Sequence, residues 1–350
     1  MVRLSKFLAL LITAILLANC SKISSDRTRV ELNVDSDMDL LNARVNRTPA
    51  SIPFISPGDA ELRSKIGLSG DQLQSSYNFV EIAHIDIPSE RLGLEAGATY
   101  LAVAGNYLYI TYNTAGVDYA GGVDAYNLST GLLESLTYTI DSGESNDANQ
   151  NLSSFEWNSL SVNGNRLAVI GDTPNGALLF DVEYNLGVSI PASKREIELP
   201  GVSGNAVGVW PDNSYYASVG GDEPGGIFHI LTANNELTLN TNNQMLSSGM
   251  KYLSIWQNWL VAFKGRSGAS LYTYAAGPGT VDISLSDPLA VTDLGFSNVV
   301  PEYGKNDVSI FDGKAYVATG NAGFYRIDIN TGTIDLEIDL DGTTNAVTAD

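Results

Sequence analysis

Short runs of alternating apolar and polar residues fill the chain from Phe79 onward, and the same order of runs recurs five times. Each unit opens with a run that alternates a branched apolar residue with Ala, Ser or Gly. This pattern predicts a β-strand, because strand side chains point to opposite faces with a period of two. The five runs are Tyr100–Ala104, Ser159–Asn163, Ala206–Trp210, Tyr252–Trp256 and Asp307–Phe311. We therefore expect five first strands in equivalent positions.

A two-residue turn and a bulkier second strand follow each of these runs. The turns are Gly105-Asn106, Gly164-Asn165, Asp212-Asn213, Gln257-Asn258 and Asp312-Gly313, and most of them are typical of β-hairpins. A Gly-rich turn leads to a third strand, and a more polar fourth strand completes the unit. Measured from Thr99, the units average about 49 residues, which is the length of a four-stranded propeller blade.

The repeat predicts an all-β protein, specifically a β-propeller of four-stranded antiparallel blades. The middle residue of each first strand is small, which leaves room where the innermost strands crowd around the propeller axis. These residues are Ala102, Ser161, Gly208, Ser254 and Ser309. A β-sandwich also alternates, but it would not repeat one order of strands five times.

Residues 345–350 have the form of the first strand of a sixth blade. Because one inner strand does not complete a blade, we expect the natural gene product to be longer by one to three blades. In that arrangement Phe79 to Asp86 would supply a closing strand to the last blade.

The N-terminus carries the pattern of an export signal. Arg3 and Lys6 precede the apolar stretch Phe7–Ala18, and Cys20 follows it. A helix of this length rises only about 18 Å, against the ~30 Å of a bilayer core, so a cleaved leader is favoured over a permanent span. We expect three regions, namely a lipoprotein signal peptide at 1–19, a polar tether or N-terminal arm at 20–78, and the propeller at 79–350.

The sequence Leu17-Ala18-Asn19-Cys20 resembles the bacterial lipoprotein box. The resemblance implies that Cys20, the only cysteine in the chain, carries a lipid anchor. Ser21 rather than Asp follows it, which in the familiar sorting rule favours the outer membrane. We therefore expect a location in the bacterial cell envelope, on the periplasmic or surface face of that membrane. The alternative is an ordinary leader with an incidental cysteine.

A second resemblance concerns the repeats. The segment from Gly105 to Ile110, followed by Gly121 to Ser129, is similar to the LVIVD-type repeat of bacterial surface propellers. Gly313 to Val317, followed by Gly323 to Asn330, repeats the pattern. The resemblance covers residues 99–350 and implies the propeller fold, but it implies little about function.

The net charge of the chain restricts the classes of molecule that we expect it to bind. The chain has 40 acidic and 19 basic residues, a net charge of −21 at pH 7. A surface of this sign repels phosphate backbones, so we expect no nucleic-acid partner and membrane contact only through the N-terminal lipid. Residues 20–78 are rich in Ser, Asp, Asn and Arg, which predicts a spacer with one short helix at 61–74.

Few residues offer catalytic or metal-binding chemistry. The two histidines, His84 and His229, are far apart in sequence, and no nucleophile elbow, phosphate loop or zinc spacing is present. We expect no catalytic residue, no metal ligand and no cofactor. A structural cation at the end of the channel has no support in the sequence.

Polar residues recur where the first strands begin, at the end of the propeller that also holds the turns between second and third strands. We call this end the channel mouth. Its candidate binding residues are Asn158, Asn205, Asn306, Asn345, Asp172, Asp222 and Glu223. Such a ring suits a cation, a sugar or a peptide amine. The alternative is that each Asn bonds its own backbone at the start of a strand.

Together these features predict a lipid-anchored, extracytoplasmic propeller that binds or scaffolds an envelope protein or glycan at the channel mouth. One alternative is a propeller enzyme, a glycan lyase or hydrolase, which would use two carboxylates about 5 to 10 Å apart. Another is an outer-membrane assembly factor that binds its partners through strand edges or loops.

Overall fold

β-strands dominate the computed structural model, which describes most of the chain from residue 30 onward. The described residues are 30–47, 50–51, 80–81, 83–92, 96–114, 119–139, 155–185, 187–220, 225–265, 270–275, 280–284, 288–294, 306–319, 323–338 and 347. The predicted leader with Cys20, the helix predicted at 61–74 and most of the predicted sixth inner strand lie outside these ranges.

Twenty strands form five antiparallel sheets, one for each predicted repeat. Blade one holds β6 (Ala96–Ala104), β7 (Tyr107–Thr114), β8 (Gly121–Asn127) and β9 (Leu132–Thr139). Blade two holds β10 (Glu156–Asn163), β11 (Arg166–Thr173), β12 (Gly176–Asn185) and β13 (Val188–Glu198). Blade three holds β14 (Ser203–Val209), β15 (Tyr215–Gly220), β16 (Gly226–Ala233) and β17 (Glu236–Leu246).

Blade four holds β18 (Met250–Trp256), β19 (Trp259–Lys264), β20 (Ser270–Ala275) and β21 (Ala290–Asp293). Blade five holds β22 (Asp307–Phe311), β23 (Lys314–Ala318), β24 (Phe324–Asp328) and β25 (Ile334–Ile338). In every blade the strands hydrogen-bond in sequence order. The first strands of successive blades contact one another, β6 with β10, β10 with β14, β14 with β18 and β18 with β22. They are therefore the innermost strands, and the predicted all-β propeller is confirmed.

Apolar side chains fill the space between successive blades and form a separate core at each of the four interfaces. The third residue of the repeat packs against the preceding blade in blades two to five. Leu160, Val207, Leu253 and Val308 hold this position in blades two to five, and all four are buried. Leu101 holds it in blade one and is 59% exposed, because no other blade packs against it among the residues that the structure describes.

Gly208 shows why the inner strands carry small residues. A Cβ atom at this position would approach Cδ1 of Ile255 and Cδ1 of Leu253, which belong to the inner strand of the next blade. Blades converge toward the axis, so the inner strands leave the least space for side chains. The predicted crowding at the axis is confirmed at this position.

Residues 30–47, which lie within the predicted polar tether or N-terminal arm, are folded onto blade one. β1 (Asn33–Asp35) pairs with β9 and extends blade one to five strands. Helix α1 (Met38–Ala43) follows, with Asp37 as its N-cap. Leu41 and Val45 are buried against the apolar face that Tyr126, Leu133 and Leu136 of blade one present.

Residues 80–92 complete this N-terminal arm. β2 (Val45–Asn46) pairs with β5 (His84–Ile85), and β3 (Ala50–Ser51) pairs with β4 (Val80–Glu81). A short helix, α2 (Ser89–Leu92), leads to blade one. The described hydrogen bonds of these strands join segments of the arm, and the expectation that this stretch closes the last blade of a longer protein stays a prediction.

Two ion pairs fix the arm to blade one and close it on itself. The guanidinium of Arg44 donates to both carboxylate oxygens of Asp124, at 3.0 and 2.6 Å. Arg91 donates to Asp35 Oδ2 at 2.8 Å. The amino-acid composition does not predict these contacts, because the two residues of each ion pair lie far apart in the sequence. Neither α1 nor α2 has the length and apolar character of a membrane span, and the described residues contain no other candidate.

Candidate functional site

The structure describes four of the seven predicted channel-mouth residues. Asn158 lies on β10, Asn205 on β14 and Asp172 near the end of β11, while Asn306 directly precedes β22. Asn345, Asp222 and Glu223 lie outside the described residues. The described four share one end of the propeller, because inner strands begin, and second strands end, on the same side.

A β-bulge occurs at the same place in the first four inner strands. The register shifts between Ala98 and Tyr100, and at the three equivalent steps of β10, β14 and β18. The extra residues are Thr99, Asn158, Asn205 and Lys251. A bulge leaves its extra residue outside the ladder and redirects the side chain. The residue that begins the sequence repeat is thus the bulged one in blades one to four.

Three of the four bulged side chains donate hydrogen bonds to the next blade. Thr99 Oγ1 donates to the carbonyl of Trp157 at 2.6 Å. Asn158 Nδ2 donates to the carbonyl of Gly204 at 3.0 Å, and Asn205 Nδ2 donates to that of Met250 at 2.8 Å. Each acceptor directly precedes the bulged residue of its own blade. We call these contacts the blade clasps, and they link the mouth ends of blades one to four by hydrogen bonds.

Asp172 joins blade two to blade three beside one of these clasps. Its carboxylate accepts a hydrogen bond from the Gly204 N–H at 2.7 Å and one from the Ser203 hydroxyl at 3.1 Å. Burial raises the pKa of Asp172 to about 6, and these donors, together with Asn158, oppose the rise in part. Asn158 in turn accepts a hydrogen bond from Asn113 Nδ2 at 2.8 Å. The structure therefore brings Asn158, Asp172 and the start of β14 into one polar cluster.

A second polar layer lies one residue further into the channel. Tyr100, Ser159, Tyr252 and Asp307 each follow the starting residue of their repeat, and we call them the axis cluster. The rings of Tyr100 and Tyr252 lie 6.1 Å apart, centroid to centroid, with 41° between their planes. These residues belong to blades one and four, which are not neighbours, so their contact crosses the propeller axis.

Asp307 is the acidic member of the axis cluster, and it is buried. Its Oδ1 accepts a hydrogen bond from the Val308 N–H at 2.8 Å, and its Oδ2 accepts one from the Val347 N–H at 3.0 Å. Burial raises the pKa of Asp307 above its ordinary value, and the two N–H donors offset this in part. Burial also raises the pKa of both phenols, and the negative charge of Asp307 adds to that effect.

The two histidines lie apart from the mouth cluster. His229 is buried on β16 and stacks on Tyr216, with ring centroids 4.5 Å apart and 5° between the planes. Burial lowers the pKa of His229, and Asp212 opposes this in part. His84 is exposed and lies 3.2 Å from Asp86. Among the residues that the structure describes, no three His, Cys, Asp or Glu side chains group closely enough to hold a metal ion.

Sequence reasoning missed the axis cluster, although a signal for it was present. Its members follow Thr99, Asn158, Lys251 and Asn306 by one residue, and those four positions had already been aligned. In a regular strand, neighbouring side chains point to opposite faces of the sheet. A circle of residues that faces the channel at one repeat position therefore argues against a second such circle at the next position. The β-bulge interrupts this alternation, and the amino-acid types at these positions do not predict a bulge.

No protein-family model matches the chain, and no curated protein matches it. Solved structures with a similar fold include apo AztD from Citrobacter koseri, at 10% identity over 72% of this chain and 74% of that one, with a TM-score of 0.43. A computationally designed protein, Ika8, is 13% identical over 73% of this chain and 77% of its own, with a TM-score of 0.41. A chain of the mitotic checkpoint complex is 12% identical over 77% of this chain and 72% of its own, with a TM-score of 0.49. At these identities a likeness concerns the fold alone, and the described sheets define a β-propeller.

Proposed function

We propose that this chain is a lipid-anchored binding or scaffolding propeller of the bacterial envelope, related to LVIVD-type propellers, and that it holds a protein or glycan partner at the channel mouth. One observation carries the proposal. The blade clasps and Asp172 place polar side chains around the mouth and hold them there by hydrogen bonds. Side chains that are already held in place lose less conformational entropy when a partner binds than free side chains do.

The anchor is the part of the proposal that depends on Cys20. The apolar stretch Phe7–Ala18 and the cysteine that follows it have the order of a lipoprotein leader. Several acyl chains, at about 0.8 kcal/mol for each buried CH₂, would hold the protein in the membrane. Metabolic labelling with a radioactive fatty acid should mark the wild-type protein and leave Cys20→Ser unlabelled. Equal labelling of both would refute lipidation at this residue.

Site-specific photo-crosslinking tests where the partner binds. A benzophenone amino acid at Asn175, in the turn between β11 and β12, lies on the mouth face. The same probe at Asn106, in the turn between β6 and β7, lies on the opposite face and is the matched control. We expect one reproducible crosslinked neighbour from Asn175 and none from Asn106. Crosslinking from Asn106 alone would assign the binding function to the other face.

A further inference from the structure

We infer that the axis cluster binds a primary ammonium group, with Asp307 as its counter-ion and Tyr100 and Tyr252 as its walls. The inference rests on the proposed function, because it names the chemistry of a ligand at the mouth end of the channel. It is carried by three independent observations, which concern charge, hydrogen-bonding capacity and ring geometry.

The first observation is that Asp307 lacks the partner that other buried carboxylates have. Asp124 pairs with Arg44, and Asp181 pairs with Arg195. Asp307 is buried as well, yet in the described part of the chain its carboxylate receives only two backbone N–H groups and no basic side chain. Buried charges in proteins are normally paired. A cationic ligand would supply the charge that arginine supplies to the other two.

The second observation is that acceptor capacity remains at the cluster. Within the described residues each oxygen of Asp307 accepts one hydrogen bond, and a carboxylate oxygen has lone pairs for about two. The hydroxyl of Tyr252 is buried beside Tyr100 and Ser159, but it makes no hydrogen bond of normal geometry within the described residues. A primary ammonium has three N–H donors, which match these acceptors. A quaternary ammonium has none.

The third observation concerns the two aromatic rings. The ring centroids of Tyr100 and Tyr252 lie 6.1 Å apart across the axis, and the two ring planes are tilted by 41°. A cation within about 6 Å of an aromatic ring centroid is attracted by the electron-rich face of the ring. The net charge of −21 also raises the local concentration of cations near the protein. The two tyrosine rings, the Asp307 carboxylate and the negative charge of the whole protein therefore all favour a cationic ligand.

The test is a titration of the full-length protein with n-butylammonium, followed by NMR of selectively labelled tyrosine rings. Tetramethylammonium and n-butanol serve as comparison probes, because they lack the N–H donors and the charge respectively. We expect the ring signals of Tyr100 and Tyr252, identified with Tyr252→Phe, to shift with n-butylammonium. The two comparison probes should require at least about tenfold higher concentration.

Variants separate binding from folding. Asp307→Asn should weaken n-butylammonium binding about tenfold or more, while Asp312→Asn, an exposed residue of the turn in the same blade, should leave it unchanged. Tyr252→Phe keeps the ring and removes only the buried hydroxyl, so its affinity should fall between those of the wild type and Asp307→Asn. This variant keeps the test valid if Asp307→Asn does not fold.

Equal titration midpoints for n-butylammonium and n-butanol would overturn the inference, as would unchanged binding in Asp307→Asn. Crosslinking from Asn175 remains a separate measurement of the proposed function. A partner crosslinked there by a protein that ignores n-butylammonium would refute the ammonium site alone.

Discussion

A Cβ atom on Gly208 would lie 2.7 Å from Cδ1 of Ile255, across the interface between blades three and four. The Gly208→Ala variant should therefore lose about 1 kcal/mol of unfolding free energy, because the Ile255 side chain must leave its preferred position. Ile255→Val removes Cδ1, so the double variant should be less destabilised than the sum of the single variants. Urea unfolding of the four proteins measures this coupling.

Gly97→Ala is the matched control, since no atom lies within 4 Å of a Cβ at Gly97. We expect its unfolding free energy to stay within about 0.5 kcal/mol of the wild type. Additive effects of Gly208→Ala and Ile255→Val would show that the two positions do not compete for space.

Leu160 and Leu101 occupy the same repeat position, but Leu160 is buried between blades one and two while Leu101 is 59% exposed. Leu160→Ala should cost about 3 kcal/mol, because it leaves a cavity in a packed interface. Leu101→Ala should cost less than about 1 kcal/mol. Thermal and urea unfolding of the two variants compare one substitution in two environments. A loss at Leu101 as large as that at Leu160 would mean that a partner covers blade one in solution.

Arg44 holds the N-terminal arm to blade one through Asp124, whose side chain is fully buried. Arg44→Met should destabilise the protein by about 3 to 5 kcal/mol, because it leaves an uncompensated buried carboxylate. Arg47, an exposed residue of the same arm that donates to the Gly131 carbonyl, provides the control, and Arg47→Met should cost about 1 kcal/mol. Combining Arg44→Met with Asp124→Leu should restore part of the loss. Equal effects of both arginine variants would contradict a specific role for the ion pair.

Asp172 should make the stability of the protein depend on pH. Its folded-state pKa of about 6 lies above the ordinary value of 3.8, so between these values the folded chain binds more protons than the unfolded chain. The unfolding free energy should then fall as pH rises from 4 to 6, by up to about 3 kcal/mol, and remain level with respect to this group above pH 7. Asp172→Asn should remove this component, as measured by urea unfolding at pH 4.5 and pH 7.5. Identical pH dependence in the two proteins would show that Asp172 titrates normally.

The strand pattern was sufficient to predict the propeller. Periodic small residues such as Gly208, and turn pairs such as Asp312-Gly313, are local signals, and the sheets confirm both. The N-terminal arm was not predictable in the same way. Its docking depends on the ion pair between Arg44 and Asp124. Because these residues are far apart in the sequence, no periodic pattern predicts their contact.

The candidate site was only partly predictable. Asn158 and Asn205 were expected to bind a ligand or their own strand, but the structure shows that their donors bind the next blade. Those acceptors belong to a different sheet, so the contact depends on how blades are arranged around the axis. The axis cluster depends on the same arrangement, because Tyr100 and Tyr252 meet only when blade one faces blade four.

The three residues of β1 that pair with β9 also determine how the molecule responds to mechanical load. Val30 and Leu32, directly before β1, are buried in the core between blades one and two, and Lys194 of blade two donates a hydrogen bond to the Val30 carbonyl. A pull applied at residue 30 would therefore load this core and the β1–β9 ladder together. Tension at the N-terminal arm is thus shared between two blades instead of falling on the edge of blade one alone.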